Sequence, residues 1–290
     1  MLNIVQKIIG HPWIPGYRIQ ERLFSGGFSE IYRAVQKRQD RTVALKILNE
    51  EGVKIASLME KDGTTRWEAE ILSTLDHPHI IRCLEYGRRG PYYWLALEFV
   101  ESLIENHVGT CRSPEDETRM IELFLQLLGA VSYLHQKGYV HRDICLGNIL
   151  VTADGQVKLI DFGLAVPHGS SVTQGKAGTP SYMAPELIRS SRHSVQSDIY
   201  SLGVVMYEMM TRRKPFRGQD AQAKMVRSLN VRPVPPSSVE GVSISPDLEQ
   251  IILRAMEKDP ADRFQSVKDM ENALIVVRHR RARDLPAETA

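Results

Sequence analysis

Cysteine is scarce: three residues in a chain of 290, Cys83, Cys111 and Cys145. Odd in number and far apart, they exclude a disulfide framework and imply free thiols in a reducing compartment, so a cytoplasmic location is expected. Charge of one sign is lacking too. A formal net charge of +2 gives no preference for nucleic acid or for an anionic membrane surface. No apolar run is as long as a membrane span; the longest of interest, Ile199 to Met210, is interrupted by Glu208 and reads as a buried helix. Met1 to Gly10 is poor in apolar residues and contains Lys7, so no secretory leader is expected there. Internal repeats and low-complexity blocks are absent. What remains is an ordinary globular composition, 42% hydrophobic, enough to bury a sizeable core.

Against that background three polar clusters stand out in apolar, strand-like text: His141 to Asn148 (HRDICLGN), Ile160 to Ala165 (IDFGLA) and Gly178 to Glu186 (GTPSYMAPE). Core packing does not call for such clusters. Moving the terminal phosphoryl group of a nucleotide does: it needs hard oxygen ligands for magnesium, a carboxylate beside the acceptor hydroxyl and a cation on the phosphates. Asp143 and Asn148 fall in one loop before the apolar strand Ile149 to Val151. Asp161 follows a second short strand, Val157 to Ile160, and Asp154-Gly155 is a good turn joining the two. An antiparallel pair of this kind brings Asn148 and Asp161 to the same end, where their oxygens can share a cation. Taken singly, each Asp is also a plain loop cap; three motifs in this order are not.

At these residues the chain resembles the eukaryotic-type Ser/Thr protein kinase family, including its bacterial members, and the likeness runs from about Tyr17 to about Val276. The resemblance implies that Asp143 orients the acceptor hydroxyl and takes its proton late, that Asn148 and Asp161 hold the metal ions, and that Thr179 sits against Asp143 where the substrate docks. It implies ATP and Mg2+ as cofactors and a protein as substrate. The stretch Gly178 to Glu186 speaks against a kinase of small molecules and for Ser or Thr as acceptor. Asp198 resembles the residue that braces the catalytic-loop backbone and would also cap its helix. Arg263 matches the arginine that pairs with Glu186.

The upstream half supplies the nucleotide side. Tyr17 to Leu23 and Phe28 to Val35 read as strands joined by Ser25-Gly26-Gly27, and Thr42 to Lys46 as a third. Lys46 matches the lysine that contacts the phosphates, and an ammonium in an apolar strand needs an opposite charge. Glu68 is its expected partner in a helical segment from Thr65 to Leu75; Glu70 competes but points to another helix face. By resemblance Leu23, Gly26, Ile31, Ala44, Leu97, Glu98, Val100 and Leu150 complete the nucleotide-binding set. Glu98 and Val100 would offer backbone to the base edge.

Three departures matter. Phe24 and Ser29 stand where the family's glycine-rich loop has its first and third glycines; Gly26, where the backbone comes closest to the phosphates, is kept. Cys145 stands where Ser/Thr kinases carry a lysine that touches the transferred phosphate. Losing one such donor costs about 2.7 to 4 kcal/mol of transition-state stabilisation, which implies a slow kinase. The rival is a pseudokinase that binds nucleotide and acts as scaffold or allosteric partner. As a thiol, Cys145 is either a reactive group or an inert filler, and nothing near it in sequence lowers its pKa.

Arg142 beside Asp143 can pair with a phosphate on the activation segment, and Ser170, Ser171 and Thr173 could carry it; they are equally readable as plain loop residues. Ser113-Pro114-Glu115-Asp116 opens a helix that runs to Leu134 with Gly138 as its stop, and Ser245-Pro246-Asp247 opens another. The basic cluster Arg278 to Arg283 reads as a solvated helix end or as a partner-binding segment. The expected fold is α+β and two-lobed, a small antiparallel-sheet N-lobe followed by a mainly helical C-lobe. Its expected division is an N-terminal extension over 1–16, the N-lobe over 17–100, the C-lobe over 101–276 and a basic tail over 277–290.

Overall fold

The computed structural model describes residues 13–54, 68–90, 92–170, 178–190 and 193–284. They fall into two compact units: one holds the described residues up to Thr74 together with Ile81–Val100, the other Leu75–Ile80 and everything from Glu101 onward.

The smaller unit is an antiparallel sheet of five strands in the order β1-β2-β3-β5-β4. These are β1 (Tyr17–Ser25), β2 (Ser29–Gln36), β3 (Arg41–Leu48), β4 (Cys83–Arg89) and β5 (Tyr92–Glu98). Side chains alternate across a strand, so the register sorts them into two faces. Tyr32, Ala34, Val43, Leu45, Ile47, Trp94 and Ala96 face one way and form a core with Ile14 and Tyr17. Ile31 opposes Lys46 and Ala44 opposes Leu97, so these four share the other face. A short helix, α1 (Glu68–Ser73), buries Glu68, Ala69, Ile71 and Leu72.

The larger unit is mainly helical. The helix α2 (Pro114–Gln136) starts where Ser113 accepts the Asp116 N–H, with proline in the first turn, and ends before Gly138 at φ 83°. The small strands β6 (Ser102–Leu103), β8 (Ile149–Val151) and β9 (Val157–Leu159) form one sheet; β7 (Tyr139–Val140) pairs with β10 (Val166–Pro167). Then follow α3 (Pro185–Ser190), α4 (Val195–Thr211), α5 (Ala221–Asn230), α6 (Pro246–Ala255) and α7 (Val267–Asp284). Within α4 nearly every side chain is buried, as its largely apolar text from Ile199 to Met210 favours. Among the described residues no helix is long and apolar enough to cross a membrane.

The described structure differs from the expected boundaries at three places. Ile14, assigned to an extension, is 1% exposed in the smaller unit's core, and the Arg89 guanidinium lies 4.0 Å over the Trp13 ring. Leu75–Ile80 belongs with the larger unit, where Ile80 bridges to Leu159 in β9. Residue 277 is no boundary, because α7 runs through it. Arg281 donates to both oxygens of Glu117 at 3.0 and 2.8 Å and so is anchored rather than solvated, while Arg280 pairs with Asp247 at 2.5 Å and stays exposed. Glu117 is fully buried, and it also accepts the N–H and hydroxyl of Ser245. A buried carboxylate needs such partners, and a one-dimensional reading of the tail does not reveal them.

Candidate active site

In the smaller unit, Lys46 and Glu68 meet at 2.6 Å with both side chains almost wholly buried. Taking two charges out of water is costly, and only a close, hydrogen-bonded pair offsets it. Glu68 therefore holds the place expected of it, and Glu70 lies on a less buried face of α1. Ile31, Ala44 and Leu97 share the sheet face of Lys46. Leu23 sits at a register irregularity of β1 and is 47% exposed. Glu98 ends β5 with its backbone N–H bonded to the Arg82 carbonyl and its carboxylate on the Arg82 N–H; Val100 follows, half-buried.

The turn at Gly26 closes through its N–H on the Ser29 carbonyl at 2.9 Å. Phe24 is 58% exposed, yet its ring edge lies where a β-carbon on Gly26 would be, at 2.7 Å. A side chain at 26 would therefore push the exposed Phe24 ring aside. Asn49, which the sequence does not single out, ties this loop down. Its amide donates to the carbonyls of Gly26 and Gly27 at 3.3 and 2.9 Å, and its oxygen accepts the Gly52 N–H.

In the larger unit, β8 and β9 pair antiparallel with Ile149 opposite Leu159, and Gly155 takes φ 82° in the turn. Asn148 and Asp161 are consequently at the same end, where the Ile160 N–H donates to the Asn148 carbonyl at 3.0 Å. Asn148 gives its amide N–H to the carbonyl and carboxylate of Asp143, at 2.8 and 3.0 Å. Its amide oxygen is thereby turned away from Asp143 and can serve as a ligand. Asp143 Oδ1 accepts both the N–H and the hydroxyl of Thr179 at 2.7 Å. Asp161 and Arg142 are among the few non-glycine residues with positive φ, 61° and 72°. That strain is typical of backbone held in place for a purpose. Leu150 lies in β8, half-buried.

The carboxylate of Asp198 organises the loop. It is 1% exposed, accepts the N–H groups of His141 and Arg142 at 2.8 and 2.9 Å, and meets His135 Nε2 at 2.8 Å. Burial pulls its pKa up, but the His135 hydrogen bond and the nearby imidazoles leave it below the usual carboxylate range. It does not cap α4. Ser194 does, accepting the Ser197 N–H in a reciprocal capping box, so Asp198 lies inside the first turn with its side chain on the loop. His135 as a partner of Asp198 carries no distinctive signal in the sequence. Arg263 is fully buried and forms a fork on Glu186, two bonds of 2.8 Å, as the resemblance implied.

Cys145 is 6% exposed, and burial, with the Asp143 charge adding to it, pushes its thiol up to about 12. It is an inert filler at neutral pH. Cys83 and Cys111 behave alike, pushed up to about 11 and about 12 mainly by burial. Arg142 is 5% exposed, and its Nε and Nη2 have no hydrogen-bond partner; the same holds for both ring nitrogens of His193. Ser170 is described, but Ser171 and Thr173 lie outside the described residues, as do the first residues of the helical segment expected from Thr65.

The smaller unit thus holds an ion-paired buried lysine, and the larger unit a carboxylate aligned on a threonine, with Asn148 and Asp161 at one hairpin end. The protein kinase domain family matches residues 17–275, and the chain belongs to that family. Serine/threonine-protein kinase PknB of Mycolicibacterium smegmatis is 33% identical over 279 residues, which is 93% of this chain and 44% of that protein. PknB of Mycobacterium tuberculosis is 33% identical over 270 residues, 90% of this chain and 42% of that protein. Serine/threonine-protein kinase PrkC of Bacillus subtilis is 33% identical over 258 residues, 88% of this chain and 39% of that protein. The chain thus spans less than half the length of these relatives. Membership implies use of ATP and a divalent metal, and the oxygen donors Asn148 and Asp161 fit a hard cation. Among the described residues no cluster of three His, Cys, Asp or Glu could hold a metal ion.

Proposed function

We propose that this chain transfers the γ-phosphate of ATP to serine or threonine hydroxyls of proteins, in the cytoplasm, with magnesium as the metal and at a low turnover. Asp143 carries the reading: its Oδ1 is already aligned by Thr179 and its Oδ2 by Asn148, the arrangement of a carboxylate waiting for an acceptor hydroxyl. The acceptor oxygen bonds to the γ-phosphorus, the bond to the bridging oxygen of ADP breaks, and Asp143 receives the acceptor's proton late. Lys46, fixed by Glu68, neutralises phosphate charge. When bound, magnesium supplies charge stabilisation on the phosphate oxygens, with Asn148 and Asp161 as its ligands. The nucleotide set is Leu23, Gly26, Ile31, Ala44, Leu97, Glu98, Val100 and Leu150.

A pseudokinase would have no physical need for Lys46, Glu68, Asp143, Asn148 and Asp161 together, and the relatives bear kinase names. Slowness follows from Cys145. Kinases turn over at roughly 1 to 100 per second, and a hundredth of that is still measurable. The test is phosphate transfer to itself and to a generic basic protein, comparing wild type, Asp143→Asn and Cys145→Lys. We expect slow labelling by wild type, none by Asp143→Asn, and faster labelling by Cys145→Lys. Wild type that labels no more than Asp143→Asn over hours overturns the reading. The buried, unpartnered Nε and Nη2 of Arg142 support an activating phosphate on Ser170, Ser171 or Thr173. Phosphopeptide mapping that finds active protein unmodified from His168 to Lys176 removes that part.

A further inference from the structure

Where the family pattern has a lysine, this catalytic loop has a buried thiol, but a cation reaches the same stretch from outside the loop. Lys214 lies just beyond the end of α4. Its ammonium contacts the Tyr182 hydroxyl, donates to Glu208 Oε2 at 2.6 Å, and stands 3.9 Å from the centroid of the Tyr182 ring. The Tyr182 hydroxyl gives its own proton to the same Glu208 oxygen at 2.7 Å and accepts the N–H of Leu146 at 3.4 Å. Leu146 directly follows Cys145 and is the first residue of the 3-10 turn Leu146–Asn148. One phenolic oxygen therefore has its full complement of bonds: two received, from a lysine and from the catalytic-loop backbone, and one given. Tyr182 is 5% exposed, and burial followed by the Glu208 charge drives its pKa far above the usual phenol range, so the bridge stays neutral.

The turn that this bridge holds carries the chemistry. Within it the Asn148 N–H bonds to the Cys145 carbonyl at 3.0 Å, and the Asn148 side chain holds Asp143 at both carbonyl and carboxylate. At the other end, Tyr182 is fixed by its carbonyl, which accepts the Ser201 hydroxyl at 2.8 Å. The segment holding Thr179 and Tyr182 is thus clamped to the loop twice, at Asp143 by Thr179 and at Leu146 by Tyr182.

We infer that Lys214 is a positioning residue for phosphoryl transfer: with Glu208 it holds the Tyr182 hydroxyl on the Leu146 N–H, and so fixes Asp143 and Asn148 in a loop that lacks its own lysine. The inference rests on the kinase reading for its kinetic effect, and on geometry alone for the brace.

Two variants break the brace, one at its cation and one at its hydroxyl. Lys214→Met removes the cation. Tyr182→Phe keeps the ring and removes the hydroxyl that accepts the Leu146 N–H. We expect each to lower kcat about tenfold, as loss of roughly one hydrogen bond's worth of alignment, with the KM for ATP and the melting temperature little changed. The double variant should be no worse than either single one, because both cut the same link. Lys268→Met, at an exposed pair with Glu271, is the control with wild-type rate. A kcat within twofold of wild type in either single variant, losses that multiply in the double, or a KM that rises in step with the loss overturns the inference. Should wild type transfer no phosphate, the kinase reading fails, and the brace is judged by amide hydrogen exchange in the free protein. There, faster exchange at Leu146 in Lys214→Met, with Ile149 to Val151 still protected, sustains it. Equal exchange in the two proteins overturns it.

Discussion

Single residues show how far burial decides chemistry in this protein. Tyr200, in the middle of α4, is 0% exposed and its hydroxyl has no hydrogen-bond partner, while the Arg263 guanidinium lies 5.0 Å over its ring. A buried hydroxyl without a partner forfeits its hydration for nothing. Tyr200→Phe keeps the ring for Arg263 and removes that penalty, so a gain of about 1 kcal/mol is expected, read as a higher midpoint in urea with an unchanged slope. A loss of stability would mean that the hydroxyl has found a partner in solution.

At the scale of elements, one set of side-chain bonds ties down the glycine-rich turn and another pins the end of the last helix. Asn49 joins the end of β3 to the Gly26–Gly27 turn by two carbonyl bonds. Asn49→Ala frees those carbonyls. It should raise the KM for ATP about fivefold to tenfold and leave kcat nearly unchanged, since binding energy is lost without touching the acceptor side. An unchanged KM would show that the turn holds its shape without Asn49. The helix α7 is latched by Arg281 on Glu117, a carboxylate with no exposure. Arg281→Ala leaves that carboxylate with the two Ser245 bonds only, and should cost about 2 to 3 kcal/mol, seen as a drop in melting temperature. If the melting temperature holds, Glu117 is satisfied by Ser245 alone.

Over the whole molecule, several imidazoles are kept neutral by burial. His193 is lowered to about 4 by burial, with the Arg142 charge adding to it, and His141, His77 and His79 are lowered chiefly by burial. In the unfolded chain these rings take up protons near pH 6.5. A folded-state pKa below the unfolded one means that the unfolded state binds more protons as pH falls, so stability drops from about pH 6.5 toward the folded value. For His193 that window closes at about 4. The melting temperature should therefore fall on acidification from neutral pH, and His193→Gln should flatten the fall. A His193→Gln profile parallel to wild type would show that His193 takes no part.

Much of the geometry around Asp143 was legible in the chain because it is local. The turn at Asp154-Gly155 forces Asn148 and Asp161 together, and Asp143 is tied to Asn148 within the same loop. The pairings of Glu186 with Arg263 and of Lys46 with Glu68 came from resemblance, the second supported by the rule that a buried ammonium needs an opposite charge. The edges of the units were less legible. Nothing in the pattern around Trp13-Ile14 distinguishes a core residue from an extension, and the basic run after Val277 gives no sign that Arg281 meets an acid far upstream.

The amino-acid sequence by itself determined the family and the α+β class, because short-range motif spacing and the run of apolar residues dictate them. Only the tertiary structure decided that Asp198 leaves capping to Ser194, that Cys145 is sealed away as a neutral thiol, and that Lys214 reaches the loop through Tyr182. Those outcomes depend on which distant side chains share a buried space, where an unmet charge or hydrogen bond costs most, and spacing along the chain carries no record of that.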